Sequence, residues 1–275
     1  MPVTKGMLEN VLEKLRADTK REVIRIRLCD DTPRLFESKF GGRPYLPRGV
    51  NPPVDGNGNV LRLLAQINMQ ELPHNDTFPE EGILQFWVLN DDFAGVDFEA
   101  YCTTDASRVL FWDNIDTSIT TEEVKKKYQP YIKGKVDYFP VEDELRLHFL
   151  KSVEPISTEH YLFRKVFMNC WKTVYPNSDL VDFYDLPDEL LRFCFESLSG
   201  FGNKLLGYPA FTQDDPRGYV DGMERYDTLL LQIDSGGTES CEIMWGDSGI
   251  GNFFISKEDL RRRDFTKVIY TWDCC

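Results

Sequence analysis

Positive charge is in deficit. The 275 residues carry 32 Lys and Arg against 46 Asp and Glu, a formal net charge of −14. A nucleic-acid binder presents a basic face to phosphate, so that class is excluded. The same charge fits a basic protein partner steered in by long-range attraction, or serves solubility alone. Long apolar runs are missing, so no segment reads as a membrane span. The first residues, Met1-Pro-Val-Thr-Lys-Gly6, lack the apolar region of a secretory signal, and a cytoplasmic protein is expected. Histidine is scarce. His74, His148 and His160 show no metal-ligand spacing such as H-E-x-x-H, and each reads as a surface or strand residue. No metal and no cofactor are expected. There are 7 cysteines, an odd number, and no C-x-x-C pair. Cys29, Cys102, Cys170, Cys194 and Cys241 lie among apolar residues, as buried thiols of a reducing compartment do. Cys274 and Cys275 are adjacent, could pair only under strain, and read as free thiols.

What is present is a core. Hydrophobic residues make up 41% and aromatics 13%, enough for a folded domain and too much for a disordered chain. Leu8, Val11, Leu12 and Leu15 fall at helical spacing and predict a helix over 8–16. Val23–Leu28 alternates apolar and basic residues, as a half-buried strand does. Leu61–Asn68 is apolar enough to be central in a sheet. Strands are expected at Ile83–Leu89, Arg108–Trp112, Glu144–Leu150, Thr228–Asp234, Asn252–Ile255 and Lys267–Trp272. Thr120-Thr-Glu-Glu123 has capping-box form and opens a helix over 122–128. A longer helix runs from Asp185, placed as N-cap with Pro187 in the first turn, to about Ser197. Ser256 caps a short helix.

The last part of the chain restates the first. Gly42-Arg-Pro44 matches Gly207-Tyr-Pro209. Leu63-Leu-Ala-Gln-Ile-Asn68 matches Leu229-Leu-Leu-Gln-Ile-Asp234. Gly82-Ile-Leu-Gln-Phe-Trp-Val88 matches Gly249-Ile-Gly-Asn-Phe-Phe-Ile255. The offsets stay between 165 and 167 residues. Arg108–Asp113 and Lys267–Asp273 follow with a one-residue slip. This predicts an α+β protein with a duplicated, mainly antiparallel sheet, a pseudo-twofold and peripheral helices. The chain reads as a single domain of two units, about 35–115 and 203–275, with residues 116–202 inserted between them. Gln66 and Gln232, at matching strand positions, are expected to pin loops across the pseudo-twofold through buried hydrogen bonds. Adjacent aromatics on one strand point to opposite faces, so Phe86/Trp87 and Phe253/Phe254 require both faces to be covered.

The stretch Trp245-Gly-Asp-Ser-Gly-Ile-Gly-Asn-Phe-Phe-Ile255 has the form of an organising centre, a glycine-rich turn running into a buried strand. Asp247 is either a ligand-binding acid on that turn or an Asp that caps it through its own backbone. Ser248 lacks the strand–elbow–helix context of a nucleophile, and no histidine motif accompanies it. Gln213, Asp214, Asp215 and Arg217 crowd onto a proline-containing loop. With Asp234, Trp245 and Asp247 they form the candidate ligand- or partner-binding set. The plainer alternative is a solvated turn with a local Asp–Arg pair.

Ser38-Lys-Phe-Gly-Gly-Arg-Pro-Tyr-Leu-Pro47, Leu64-Ala-Gln-Ile-Asn68, Gly82-Ile-Leu-Gln-Phe86, Gly207-Tyr-Pro-Ala-Phe-Thr-Gln-Asp-Asp-Pro-Arg217 and Leu230-Leu-Gln-Ile-Asp234 with Trp245-Gly-Asp-Ser-Gly249 resemble the YwqG-like family of bacterial proteins, a domain of unknown function. The resemblance covers roughly residues 35–275. It implies no catalytic residues. It does imply an immunity-like, protein-binding role, through the proposed association of family members with toxin systems. The leading expectation is therefore a cytoplasmic protein-binding module for a basic protein, more a binder than an enzyme. The alternative is a small-ligand- or metal-binding protein, or a hydrolase, using the acidic loop cluster. The two differ in where the acids go, spread over a face or gathered in one pocket.

Overall fold

The computed structural model describes residues 3–96, 105–132 and 139–275; Cys102, expected as a buried thiol, lies outside them. The chain runs through helix α1 (Lys5–Asp18) and strands β1 (Arg21–Cys29), β2 (Lys39–Phe40), β3 (Arg62–Asn68), β4 (Ile83–Val88) and β5 (Ser107–Trp112). It continues through α2 (Thr121–Ile132), β6 (Leu145–Glu154), α3 (Phe163–Val174), α4 (Asp188–Ser197), β7 (Lys204–Leu206) and β8 (Thr228–Asp234). Short β9 (Gly236–Gly237) and β10 (Glu242–Ile243) precede β11 (Ile250–Ile255), α5 (Lys257–Arg261) and β12 (Ile269–Asp273). The architecture is α+β. Ten strands form one sheet in the order β12-β11-β8-β7-β1-β6-β2-β3-β4-β5, and the registered pairs are antiparallel.

The centre of that sheet is the long β1/β6 pair, in which Arg25 faces Leu150 and Cys29 faces Arg146. Residues 116–202 therefore supply more than an insertion, because β6 is a middle strand of the sheet. From the centre, β2-β3-β4-β5 run outward on one side and β7-β8-β11-β12 on the other. The sheet folds its two wings together, so that Phe86 on β4 meets Phe253 on β11 edge-on, with ring centroids 4.9 Å apart. Phe40, Leu84, Leu231, Phe253 and Tyr270 share that inner core. On the outer face of the first wing, Trp87 and Leu63 pack under Tyr45 and under Val124 and Tyr128 of α2. On the outer face of the second wing, Leu229, Phe254 and Ile269 are covered by Phe211, Met223 and Tyr226. The adjacent aromatics thus do face opposite ways, as strand geometry demands.

A separate helical core holds α1, α3 and α4 together through Leu8, Leu12, Phe167, Trp171, Leu190 and Cys194. Helix α3 was not among the expected elements, although Phe163, Phe167, Cys170 and Trp171 fall on one buried face of it. The start of α4 is also corrected. Pro187, not Asp185, occupies the N-cap position, and Asp182 caps the preceding 3-10 turn by accepting from the Tyr184 N–H at 3.0 Å. The final strand starts at Ile269, because Asp264 turns residues 265–267 into a 3-10 turn first.

Buried amides fasten the loops above the sheet. Gln66 Oε1 accepts from the Tyr45 N–H at 2.7 Å, and its Nε2 donates to the carbonyls of Leu35 at 2.8 Å and Glu37 at 3.0 Å. Gln232 Oε1 accepts from the Ala210 N–H at 2.7 Å, and its Nε2 donates to the carbonyls of Gly200 at 3.0 Å and Gly202 at 2.8 Å. Each glutamine pins the loop of its own wing, which corrects the expectation that they reach across between wings. Next door, Gln85 donates to the Tyr45 carbonyl and Asn252 donates to that of Ala210. The loops turn at Gly42 (φ 70°) and Gly207 (φ 73°), where a Cβ would collide with the Glu144 and Glu154 side chains. Beside them Lys39 and Lys204 are buried, and burial lowers both ammonium groups to about 8.

Candidate functional site

The loop Phe211–Tyr219 crosses the second wing and forms one wall of a cavity. Its stiffness comes from a buried ion pair. Arg217 donates from Nε and Nη2 to the two oxygens of Asp215, at 2.9 and 2.7 Å, and from Nη1 to the Tyr226 carbonyl at 3.1 Å. Asp215 also accepts from the backbone N–H groups of Arg217 at 3.1 Å and Tyr161 at 3.3 Å. The guanidinium lies 4.2 Å from the Phe254 ring centroid and 5.3 Å from that of Tyr161. Both partners are 4% exposed, so the pair is desolvated and depends on these further contacts.

Opposite this wall stand the segment 158–164, which leads into α3, and the residues around α4. Together they line a half-open cavity of about 760 Å³. Its rim carries solvent-exposed aromatics: Tyr184 is 62% exposed, Tyr219 63%, Phe195 42% and Phe201 43%. Such a set is unusual on a protein surface and marks a place where apolar groups meet a partner or ligand. Within it Glu159 is half-buried. It accepts from the Thr158 hydroxyl at 2.5 Å and from the Gly200 N–H at 3.1 Å, and burial raises its carboxyl above the usual range. His160 is buried, with Nδ1 accepting from the Leu162 N–H at 3.2 Å. Burial, with Arg217 and Arg21 nearby, pushes its imidazole down to about 2, so it stays neutral. The sequence placed His160 on a surface or strand, and the fold corrects this: the ring stacks on Tyr161 and meets Tyr208 edge-on.

Of the residues singled out in the sequence, Gln213, Asp214 and Asp215 line this cavity. Gln213 is tied to the chain end, its N–H donating to Asp273 and its Nε2 to the Cys274 carbonyl, each at 2.7 Å. Asp214 is exposed. Arg217 lies behind the wall in the ion pair. Asp234 sits elsewhere, at the end of β8. It accepts from the Gly202 N–H at 2.7 Å, and burial raises its carboxyl. Trp245 is buried against Tyr270 and Trp272, and Asp247 is exposed at the turn beyond it. That turn is organised by Ser235, whose hydroxyl oxygen accepts from the N–H groups of Trp245 and Gly249 at 3.0 Å and donates to the Gly249 carbonyl at 2.8 Å.

Sequence reasoning missed Ser235, Glu159 and the aromatic rim. One signal for the rim was available. Leu190-Leu-Arg-Phe-Cys-Phe195 holds more apolar residues than one helical stripe can bury, so some had to face outward. Among the described residues, no group of three or more His, Cys, Asp or Glu is placed to hold a metal ion, and no helix is long and apolar enough to cross a membrane. The described cysteines are free thiols.

Residues 38–274 match the family described as a domain of unknown function, DUF1963, and the chain belongs to that family. No curated protein matches it.

Proposed function

Taking membership of DUF1963 as the premise, which leaves the activity open, we propose that the chain is a cytoplasmic protein-binding module, immunity-like in that it holds a basic protein partner instead of transforming a substrate. The observation that carries this reading is the rim of exposed Tyr184, Phe195, Phe201 and Tyr219 around a cavity of about 760 Å³. Exposed aromatics of this kind anchor protein interfaces, because they bury large apolar area at little cost in side-chain entropy. The net charge of −14 supports a basic partner by steering its approach. The disposition of the candidate acids supports binding over catalysis. Asp214 and Asp215 line the cavity, but Asp215 is engaged by Arg217, Asp234 is engaged elsewhere by Gly202, and Asp247 stands outside the cavity. An enzyme or metal site would draw them into one pocket.

We also infer that the two wings arose by duplication. The inference rests on the matching sequence blocks and on the like bonding of Gln66 and Gln232, of Gln85 and Asn252, and of the turns at Gly42 and Gly207.

The test is capture of a partner by the tagged protein at low and moderate salt, followed by titration of that partner against wild type and a Phe195→Ala/Phe201→Ala variant. The expected result is one basic protein recovered stoichiometrically, released as salt rises, and bound at least tenfold more weakly by the variant. A partner that binds both forms equally, or a blank at low salt, overturns the reading.

A further inference from the structure

A protein-binding role leaves open which chemical group of the partner the cavity receives. Resting on that role, we propose that the Glu159 end of the cavity takes an arginine side chain of the basic partner, its guanidinium clasped by the Glu159 carboxylate and laid against the rings of Phe201 and Tyr219.

The placement comes from local bonding. Gly200 donates its N–H to Glu159 at 3.1 Å, which sets Phe201, the next residue, beside the carboxylate. Gly218 packs so closely on Tyr161 that a Cβ there would lie 2.8 Å from the Tyr161 Cβ, and Tyr219, the next residue, lines the same cavity as the 159–161 segment. Glu159, Phe201 and Tyr219 line one cavity, with the carboxylate half-buried and the two rings exposed. One oxygen accepts from the Thr158 hydroxyl and the other from the Gly200 N–H, and a carboxylate has further lone pairs to offer.

The preference for arginine follows from how this molecule treats its own. Arg217 is laid on Phe254 and clasped by Asp215. Arg164, on the cavity wall, lies 5.5 Å from the Tyr184 ring centroid and is clasped by Asp182. Aromatic face plus carboxylate is thus the local solution for a guanidinium, and Phe201, Tyr219 and Glu159 repeat it at the mouth of the cavity. A guanidinium is planar, weakly hydrated and stacks on rings, which an ammonium does less well. Burial raises the Glu159 carboxyl, and an arriving cation would favour its charged form, which adds to the attraction.

The probe is a fluorescein-labelled octapeptide of alternating arginine and alanine, compared by anisotropy with the same peptide carrying citrulline in place of arginine. Citrulline keeps the shape and removes the charge. The expected result is saturable binding of the arginine peptide alone. It weakens about tenfold or more in Glu159→Gln, Phe201→Ala and Tyr219→Ala, and less than twofold in Glu9→Gln, an exposed acid on α1. Tyr219→Ala alters an exposed rim residue and keeps the test available should Phe201→Ala misfold. Equal binding by wild type and the cavity variants, or a matching loss in Glu9→Gln, would mean general acidity attracts the peptide, and the proposal falls. Failure of the arginine peptide to bind also overturns it. If a captured partner is nonetheless lost by the Phe195→Ala/Phe201→Ala variant, the binding-module reading survives without the arginine site.

Discussion

Replacing Gln232 by Met keeps the length of the side chain and removes its amide from a fully buried site. Three hydrogen bonds go with it: from the Ala210 N–H, and to the carbonyls of Gly200 and Gly202. At about 1 kcal/mol net for each bond, the loss is about 3 kcal/mol, and the stranded backbone groups raise it toward roughly 5 kcal/mol. Gln66→Met strands the Tyr45 N–H and the carbonyls of Leu35 and Glu37, and also removes the acceptor used by Gln85 Nε2 at 2.9 Å. The expected cost is therefore the same or slightly larger. Urea denaturation followed by tryptophan fluorescence measures both, with an unchanged m-value confirming that the comparison is of stability alone. Comparable losses at the two sites are expected if the wings are equivalent units. A loss below about 1 kcal/mol at either one would refute the reasoning, because it would show that the loop amides and carbonyls find water or each other when the glutamine is gone.

Arg217→Met should destabilise the protein by about 3–5 kcal/mol, since it leaves Asp215 as an uncompensated buried carboxylate; calorimetry showing a change under 1 kcal/mol would count against the clamp. Gly251→Ala places a Cβ into the Trp245 ring on the inner side of β11 and should cost about 1–3 kcal/mol through overpacking, read as a lowered urea midpoint. His160 is pushed down to about 2 from an ordinary value near 6.5, so the unfolded chain binds a proton there that the folded one refuses. Stability should therefore fall as pH drops below about 6.5, by up to about 1.4 kcal/mol per pH unit from this residue, and His160→Phe should flatten that slope. Lys39 acts with the same sign in an alkaline window. Its folded value of about 8 lies below the unfolded 10.5, so the unfolded chain holds more protons between the two and stability should rise with pH across that range. Lys39→Met should remove its share of that rise, and an unaltered profile would contradict a buried ammonium at this position.

The strands were legible because their faces are chemically distinct. Val23–Leu28 alternates, Leu63–Ile67 is apolar apart from Gln66, Phe253–Ile255 is apolar throughout, and the structure covers both sides of each of the latter two. The end of the repeat was less clear, because Lys267, the start of the expected last strand, belongs to the 3-10 turn that Asp264 caps. What the sequence hid is what tertiary packing assembles. The cavity draws on residues 158–164, 183–201 and 211–219, which no local pattern connects. Ser235 could not be singled out, since a hydroxyl bonds whatever backbone arrives, and the turn it fastens lies ten residues and more downstream. His160 read as a surface or strand residue because nothing near it has metal-ligand spacing; its packing involves Tyr208, distant in sequence, as well as Tyr161.

The two wings cover their outer faces by different means, and this bears on where binding occurs. On the first wing α2 lies over Trp87, and Tyr128 Oη accepts from the Leu63 N–H at 3.1 Å, a neutral hydroxyl whose ionisation burial pushes up to about 12. On the second wing the cover over Phe254 is a loop, and its buried group is the charged Arg217. A helix satisfies its own backbone, whereas a loop must be held by side chains, and the Asp215–Arg217 pair does that holding. The pair contributes little as an isolated attraction once desolvation is counted. Its effect is to fix Tyr161 and the 215–219 backbone in one arrangement before any partner arrives. Preorganisation of this kind reduces the entropy lost on association. Loosening the loop should therefore weaken binding at the Tyr219 rim even where the rim residues themselves are untouched.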